Sequence, residues 1–297
     1  MSENAWVAET ITPGIRVEYE ATRIIARRRT QYQEMVALEN PVFGRMMFLD
    51  EAVQVTSADE FMYHEMLAHV PLLTHGAAKQ VMIVGGGDCG LAEEVLKHRG
   101  VVELTQVEID PDVVEFAREH FSAMNARAFA DSRFRIEYAD AAKYVAQTEQ
   151  RFDAVLVDST DPIGPGKALF TEEFYRNVRA RLKPGGVLVA QCGMPFQQRT
   201  HFAAAMHALS AVFPIVTCYL IAVPSYTSGH MALAWASESL TPAIPLEELK
   251  RRAADVGLET RYYTPQVHLA AFALPPYVTE LLPEAARSAR INEGVFR

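Results

Sequence analysis

Val81-Met-Ile-Val-Gly-Gly-Gly-Asp-Cys-Gly90, followed downstream by Gln106-Val-Glu-Ile-Asp110, is the stretch of sequence that decides the fold. A run of β-forming residues ends abruptly at three glycines, the residues that let a backbone turn tightly against a ligand. Two further aliphatic runs end in Glu108 and Asp158. Acidic residues therefore recur at the ends of strands, where an open α/β sheet binds its ligand. This pattern predicts a small-molecule site that is unusually acidic.

Strand-like and helix-like segments alternate from Val81 onward. Strands that alternate with helices form parallel sheets with helices on both faces, so the predicted fold class is α/β, with a doubly wound, mostly parallel sheet. After the strand at Val81, the predicted strands are residues 104–109, 133–138, 152–157, 186–191, 216–222 and 231–235. The predicted helices are residues 91–98, 111–121, 141–147, 171–182, 198–212 and 246–256.

The N-terminal part of the chain has a different pattern. Residues 15–55 alternate polar and apolar positions, and Asn40-Pro41 and Leu49-Asp50-Glu51 are candidate turns. This alternation predicts short antiparallel strands that form a small β domain.

A helix is predicted to connect the β domain to the strand at Val81. Ser57-Ala-Asp-Glu60 has the form of a capping box, and residues 61–70 carry apolar residues at helical spacing before Pro71. We therefore expect a β domain over residues 1–56 and an α/β domain over residues 57–297. The tail after Pro283 is predicted to be a short surface helix or a partly frayed end.

Composition narrows the classes of partner. The 297 residues carry a formal net charge of −9, so nucleic acid is a poor electrostatic partner and cationic ligands are favoured. The three cysteines are widely spaced, which fits neither a disulfide framework nor a zinc cluster. The N-terminus lacks a signal-peptide pattern, and no apolar run approaches the roughly 18 residues of a membrane span. We expect a cytoplasmic protein without a membrane partner.

The glycine turn is the first candidate site. Gly85, Gly87 and Gly90 satisfy the GxGxxG pattern, and Glu108 ends the next strand, where a carboxylate can accept hydrogen bonds from a ribose diol. Either a dinucleotide or an adenosyl sulfonium would fit these features. Asp88 favours the sulfonium, because a carboxylate inside the turn would repel a pyrophosphate and attract a cation.

The second candidate site lies at the end of the fourth strand of the series. Asp158 ends that strand, next to the expected topological switch point, and Asp161 follows on a loop rich in proline and glycine. Two carboxylates three residues apart can hold a polyamine, share one proton or coordinate a metal. The alternative is a solvated turn in which both acids serve only the conformation of the loop.

Together these motifs resemble the polyamine aminopropyltransferases, the spermidine synthase family, over nearly the whole chain. The segments that carry the resemblance are Tyr63-His-Glu-Met66, Gly85-Gly-Gly-Asp88, Val107-Glu-Ile-Asp110, Asp158-Ser-Thr-Asp-Pro-Ile-Gly-Pro165, Leu169-Phe-Thr171 and Lys183-Pro-Gly-Gly186. The resemblance implies a methyltransferase-like sheet and transfer of an aminopropyl group from decarboxylated S-adenosylmethionine to putrescine. The donor is then a co-substrate, with no separate cofactor and no metal.

The resemblance also implies roles for individual residues. Residues similar to the family's donor contacts are Gln33, Gln54, His64, Gly85, Gly87, Asp88, Glu108, Asp140, Ala141 and Asp158. Those similar to the acceptor contacts are Trp6, Tyr63, Asp158, Asp161 and Tyr226. Asp158 matches the family's general base, assisted by Tyr63 and Tyr226. A homodimer or homotetramer is implied as well.

The sequence departs from the family pattern at three positions. Cys89 and Glu51 stand where the family usually has glycine, and Ala141 stands where glycine usually follows Asp140. A side chain at Cys89 is expected to narrow the donor pocket or to require a negative φ.

Three alternative functions remain open from the sequence. One is an aminopropyltransferase for another amine, such as cadaverine, diaminopropane or spermidine. Another is a catalytically weak protein that binds a nucleoside or polyamine, and a dehydrogenase ranks last. The loop over residues 159–168 is a plausible lid because it joins the expected base to a helix.

Overall fold

The computed structural model of the protein describes residues 5–160, 164–227, 229–284 and 286, and of residues 164 and 165 only the backbone. Asp161 and nearly all of the tail after Pro283 lie outside this part of the chain, so neither prediction is addressed there. Within the described residues, no helix combines the length and the apolar character that crossing a bilayer requires.

The N-terminal part of the chain consists of antiparallel strands, as predicted. The strands are β1 (Ala5–Thr12), β2 (Ile15–Ala21), β3 (Arg23–Arg29), β4 (Glu34–Asn40), β5 (Gly44–Leu49) and β6 (Ala52–Thr56). β1 and β2 form a two-stranded sheet, and β3 to β6 form a four-stranded meander. The predicted turns at Asn40-Pro41 and Asp50-Glu51 are confirmed as the two connections on either side of β5. β1 was missed, because the predicted alternation began only at Ile15.

Helix α1 (Glu60–His75) follows β6 and differs from the prediction at both ends. The predicted capping box is wrong: Asp59 is the N-cap residue, and its side chain makes no capping hydrogen bond. That carboxylate instead accepts hydrogen bonds from Thr56 Oγ1 and from the Ser225 backbone N–H. The helix also continues through Pro71. Almost all of α1 is buried, so tertiary packing outweighs the roughly 3 kcal/mol that an internal proline costs.

Strands and helices alternate from residue 80 to residue 222 as the sequence predicted, whereas the helices at residues 126–130, 265–271 and 276–279 were not predicted. The strands are β7 (Gln80–Gly85), β8 (Glu103–Glu108), β9 (Phe134–Tyr138), β10 (Phe152–Asp158), β11 (Leu182–Gln191), β12 (Ile215–Ala222) and β13 (His230–Ser237). The helices are α2 (Gly90–Leu96), α3 (Pro111–His120), α4 (Ala126–Ala130), α5 (Ala141–Gln147), α6 (Glu172–Arg181), α7 (Arg199–Ser210), α8 (Leu246–Val256), α9 (Pro265–Ala271) and α10 (Pro276–Thr279).

These seven strands form one sheet in the order β12-β13-β11-β10-β7-β8-β9. β7 to β11 run parallel to one another, whereas β13 is antiparallel to both of its neighbours. Strand order reverses between β7 and β10, so this is the topological switch point. β11 begins four residues earlier than predicted, because its Lys183-Pro-Gly-Gly186 segment bulges out of register with β10 instead of forming a turn.

The core lies on both faces of the seven-stranded sheet. One face packs α1, α2, α8 and α9 around residues such as Trp235 and Tyr219. The other face packs α5, α6 and α7 around residues such as Phe174 and Phe202. Helices on both faces define the predicted doubly wound architecture.

Candidate active site

The glycine turn after β7 packs directly against the end of β10. Gly85 and Gly86 have φ values of 78° and 66°, a region that favours glycine. A Cβ atom at Gly85 would collide with the carbonyl oxygen of Asp158, and one at Gly86 would lie 2.9 Å from Asp158 Oδ2. The Gly86 N–H also donates to the Asp158 carbonyl at 2.7 Å. The glycines thus bring two strand ends together at the switch point.

Asp158 is the central carboxylate of the site. Tyr63 donates its hydroxyl to Asp158 Oδ1 at 2.9 Å, and the Tyr63 ring makes an edge contact with the ring of Tyr226. Burial and the neighbouring Asp88 raise the pKa of Asp158 to about 6, against the opposing effects of His64 and the Tyr63 hydroxyl. A carboxylate with such a pKa is ionised at neutral pH and is also able to take up a proton.

Asp88 and His64 form the next part of the site. Asp88 Oδ1 accepts a hydrogen bond from the Gly90 N–H at 2.7 Å, and His64 Nε2 lies 3.6 Å from the same oxygen. On its other side, His64 Nδ1 contacts Glu60 Oε2 at 2.8 Å. Burial opposes a charge on the imidazole, but Asp88 and Glu60 outweigh it and raise the pKa of His64 well above its usual value.

Glu108 ends β8 on the other side of the glycine turn. It is buried, and its Oε1 accepts a hydrogen bond from the Asp110 N–H at 2.9 Å. Burial raises the pKa of Glu108 to about 7 despite the backbone hydrogen bonds that lower it. Gln33 reaches the same strand end, since its Nε2 donates to Asp110 Oδ2 at 3.1 Å.

A small cavity lies between the two domains predicted from the sequence, at the carboxyl end of β10. It brings together six of the predicted site residues: Gln54, Tyr63, His64, Asp88, Asp158 and Tyr226. Tyr226 donates its hydroxyl to the Gln54 carbonyl at 2.6 Å, which fixes the wall of the cavity opposite Asp158.

The other predicted site residues lie away from this cavity. Trp6 is on β1 with 61% of its surface exposed, and Asp140 caps α5 through the N–H groups of Ala142 and Lys143. Ala141 is buried at the first position of that helix. Gly85, Gly87, Glu108 and Gln33 lie along the same sheet edge at the ends of β7 and β8, and Asp161 is outside the described residues.

Cys89 does not adopt the negative φ that was one of the two expected outcomes. Its φ is 61°, the left-handed conformation that a glycine would take there. The side chain is fully buried, with Sγ 3.6 Å from Gln106 Nε2, and it packs into the core under α1. Glu51 similarly occupies a left-handed turn position, with φ 69°.

Several residues that shape the site were not found from the sequence. Glu60 contacts His64, Gln106 Nε2 donates to the Gly86 carbonyl at 2.7 Å, and Asn125 Nδ2 donates to the Asp88 carbonyl at 2.8 Å. The available signal was an amide, Gln106, in the interior of a short predicted strand. Asn125 has no such signal, because its role depends on how α3 returns to the glycine turn.

Within the described residues, no group of three or more His, Cys, Asp and Glu side chains is arranged to hold a metal ion. A doubly wound sheet with an acidic cavity at its switch point is typical of enzymes that bind a small, positively charged ligand. The class defined by fold and site is therefore an α/β enzyme for a cationic small molecule.

Residues 60–248 match the family model described as the spermine/spermidine synthase domain, and residues 5–57 match that of the spermidine synthase tetramerisation domain. The chain belongs to the spermine/spermidine synthase family. The family and the class of enzyme predicted from the sequence, a polyamine aminopropyltransferase, are confirmed.

Relatives resemble the protein over almost its full length. A polyamine aminopropyltransferase of Ruegeria sp. (strain TM1040) is 44% identical over 284 residues, which cover 95% of this chain and 100% of the relative. One from Pseudomonas syringae pv. tomato is 44% identical over 279 residues, which cover 94% and 98%.

Solved structures give the same result for the fold. A crystal structure of spermidine synthase in complex with the transition-state analogue AdoDATO matches with a TM-score of 0.89 at 37% identity, over 94% of both chains. The spermidine synthase of Thermotoga maritima matches with a TM-score of 0.86 at 36% identity, also over 94% of both chains. The predicted fold class is confirmed.

Proposed function

We propose that the protein transfers the aminopropyl group of decarboxylated S-adenosylmethionine to putrescine, with Asp158 as the general base. The observation that carries this proposal is the partly buried Asp158 carboxylate, which accepts a hydrogen bond from the Tyr63 hydroxyl at 2.9 Å and lies close to Asp88. The attacking amine nitrogen forms a bond to the methylene beside the sulfonium. The carbon–sulfur bond breaks with its electron pair going to sulfur, and the proton of the nitrogen goes to Asp158. The products are spermidine and 5′-methylthioadenosine.

The acidic residues suit a reaction between cations. The enzyme must chiefly hold two positively charged reactants in line and accept one proton. Asp88 is proposed to attract the aminopropyl arm, and His64 to line the same part of the donor site and hold Asp88 in place. Intact S-adenosylmethionine would place its carboxylate against Asp88 or Asp158 in a partly desolvated pocket, so like-charge repulsion disfavours it.

The nucleoside is proposed to lie along the sheet edge. Glu108 is assigned to the ribose diol, Asp140 to the vicinity of the adenine amine, and the turn from Gly85 to Gly87 to the close approach of the backbone. Gln33, Gln54 and Ala141 complete the proposed donor contacts. Support for this arrangement comes from the positions of Gly85, Glu108 and Asp140, which lie at the carboxyl ends of β7, β8 and β9.

The acceptor is proposed to bind on the opposite side of Asp158. Tyr63 and Tyr226 form the wall of the cavity there, and both assist the base through the hydrogen bond and ring contact described above. Asp161 and Trp6 are proposed as further acceptor contacts.

We also propose a homodimer or homotetramer in the cytoplasm. Support for assembly comes from the match of residues 5–57 to a tetramerisation domain and from the separate β1–β2 hairpin, since an isolated two-stranded sheet is marginally stable. Native mass spectrometry at micromolar concentration tests this proposal, and a monomer at every concentration would contradict it.

The acceptor is tested by offering the decarboxylated donor together with putrescine, cadaverine, diaminopropane or spermidine and quantifying methylthioadenosine. We expect the highest kcat/KM with putrescine. Preference for another amine would replace the acceptor in this proposal. Donor binding without product from any acceptor would indicate a binding protein.

A further inference from the structure

Glu60 and His64 lie one helical turn apart on the same face of α1, in contact with each other. Glu60 Oε2 is 2.8 Å from His64 Nδ1. The His64 side chain is 3% exposed and that of Glu60 is 16% exposed, so the contact is largely shielded from water. Since Nδ1 is occupied by this carboxylate, Nε2 is the nitrogen left to face the site.

The His64 ring is held from the other side by the beginning of α2. A Cβ atom at Gly90 would collide with His64 Cε1 and lie 2.6 Å from Nδ1, so the ring packs directly on the glycine backbone. The Gly90 N–H meanwhile fixes Asp88 Oδ1, the oxygen that His64 Nε2 approaches at 3.6 Å. The imidazole therefore lies between two carboxylates, one on α1 and one in the glycine turn.

We propose that Glu60 is a positioning residue: it holds the His64 imidazolium against Asp88 and thereby keeps Asp158 ionised before the donor binds. This role rests on the proposed function of Asp158 as the base.

The charged groups around His64 explain why the imidazolium needs a positioning residue. Glu60 and Tyr63 face His64 from α1, Asp88 faces it from the glycine turn, and Asp158 faces it from β10. Asp88 raises the pKa of Asp158, whereas the His64 cation lowers it. Without Glu60, Asp88 alone would oppose the effect of burial, so the imidazole would lose its proton more easily and would compensate less for the repulsion between Asp88 and Asp158.

The protonation of the base is therefore linked to Glu60, which lines the same cavity and acts on Asp158 through His64. Loss of the imidazolium is expected to move the proton equilibrium of Asp158 toward the neutral acid. The effect disappears at high pH, where Asp158 is ionised with or without its neighbour. This pH dependence separates a positioning role from a merely structural one.

The test is the pH dependence of kcat/KM in a Glu60→Gln variant, which keeps the size and most of the shape of the side chain. Because a rise of one unit in the pKa of Asp158 lowers its ionised fraction about fivefold at pH 6, we expect kcat/KM to fall about fivefold at pH 6 and less than about threefold at pH 8.5. Glu39→Gln is the matched control, since Glu39 pairs with Arg23 on the surface and does not contact His64 in the structure.

A second measurement does not depend on turnover. ¹⁵N NMR of histidine-labelled protein, with the signal assigned from a His64→Asn variant, reports the charge of the imidazole. We expect a charged ring at pH 7 in wild type and in Glu39→Gln, and a ring that loses its proton at a lower pH in Glu60→Gln. An unchanged titration of the ring and an unchanged acid limb in Glu60→Gln would overturn the inference. Wild type that forms no methylthioadenosine would instead contradict the proposed function, and the NMR comparison would still decide the state of His64.

Discussion

Helix α1 carries ionisable side chains on two faces, and the surroundings of the two faces are opposite. On one face, Tyr63 and His64 point to the carboxylates of Asp158 and Asp88. On the other, Glu65 and His69 point into the interior toward α2 and the C-terminal segment. The two faces follow from helical geometry, because residues four positions apart lie on the same side of a helix: Glu60 and His64 share one face, and Glu65 and His69 share the other.

The interior face satisfies its charges with protein partners. The Glu65 carboxylate accepts hydrogen bonds from three successive N–H groups, those of residues 261, 262 and 263. Glu94 lies 3.1 Å from His69 Nε2 and 2.6 Å from the Lys97 ammonium. Burial alone would raise the pKa of Glu94, but His69 and Lys97 lower it.

The carboxylates of the candidate site have too few hydrogen-bond donors to offset their burial. Burial raises the pKa of Asp158 and of Glu108, and the partners in the protein do not offset that effect. An acid whose burial is not offset by its partners is costly to the fold, which supports the proposed cationic ligand at the switch point. The comparison teaches that the pKa is raised for Asp158 and Glu108 in the candidate site and lowered for Glu94 behind the interior face of α1.

The largest expected effect comes from removing the base. Asp158→Asn is expected to lower kcat by about 10²–10⁴-fold, because the attacking nitrogen loses its proton acceptor. Steady-state formation of methylthioadenosine measures the loss. Calorimetry should show donor binding that is largely retained, and the variant should be no less stable than wild type at pH 8, where the buried charge is removed. Turnover near that of wild type would exclude Asp158 as the base.

Substitutions on the interior face of α1 should change the stability of the protein and not the rate of the reaction. Glu65→Ala leaves three N–H groups without their acceptor, one buried and two partly buried, and we expect a loss of about 3 kcal/mol in the free energy of unfolding. Urea denaturation measures this loss. The substitution Glu247→Ala, on the exposed part of α8, is the control and should change stability by less than about 0.5 kcal/mol. An equal effect of the two substitutions would contradict the structural role of Glu65.

The pH dependence of the rate is the next effect in size. Because Asp158 must be ionised to accept a proton and its pKa is about 6, kcat/KM should fall as the pH drops through 6, by about tenfold per unit below it. Initial rates between pH 5 and 8.5 test this. A rate that stays constant down to pH 5 would contradict the assignment.

Acid also acts on the interior of the protein, so stability must be followed in the same experiment. Burial lowers the pKa of His268 to about 3 and that of His98 well below its usual value. Both histidines gain protons more easily in the unfolded chain, so the stability that they contribute is present above pH 6.5 and is lost as the pH falls below it. Circular dichroism at each pH separates this unfolding from protonation of Asp158.

Features that depend on residues close together in the sequence could be predicted, whereas features that depend on residues far apart in the sequence could not. The sheet, its switch point and the acids after β7, β8 and β10 follow from local periodicity and from the resemblance of the motifs. The capping box at Ser57 failed because Asp59 is bonded to Ser225, 166 positions away, and local patterns do not include such a partner. Glu60 was missed for a related reason. Its proposed role depends on the His64 imidazole, which lies between Glu60 and Asp88 only in the folded chain.

The smallest effect is expected at Cys89, which lies in the glycine turn between the candidate site and the core. Cys89→Gly removes the strain of a left-handed conformation, which costs a non-glycine residue about 1–2 kcal/mol. The substitution also removes a buried thiol from the core and raises the conformational entropy of the unfolded chain. These effects oppose each other, so stability should change by less than about 1 kcal/mol. The side chain points to Gln106 and the core, so the donor dissociation constant should stay within about twofold, well under the tenfold that 1.4 kcal/mol represents. Isothermal titration with the donor measures it. A much tighter complex in Cys89→Gly would mean that the Cys89 side chain narrows the donor pocket and that this position of the glycine turn serves the site and not the core.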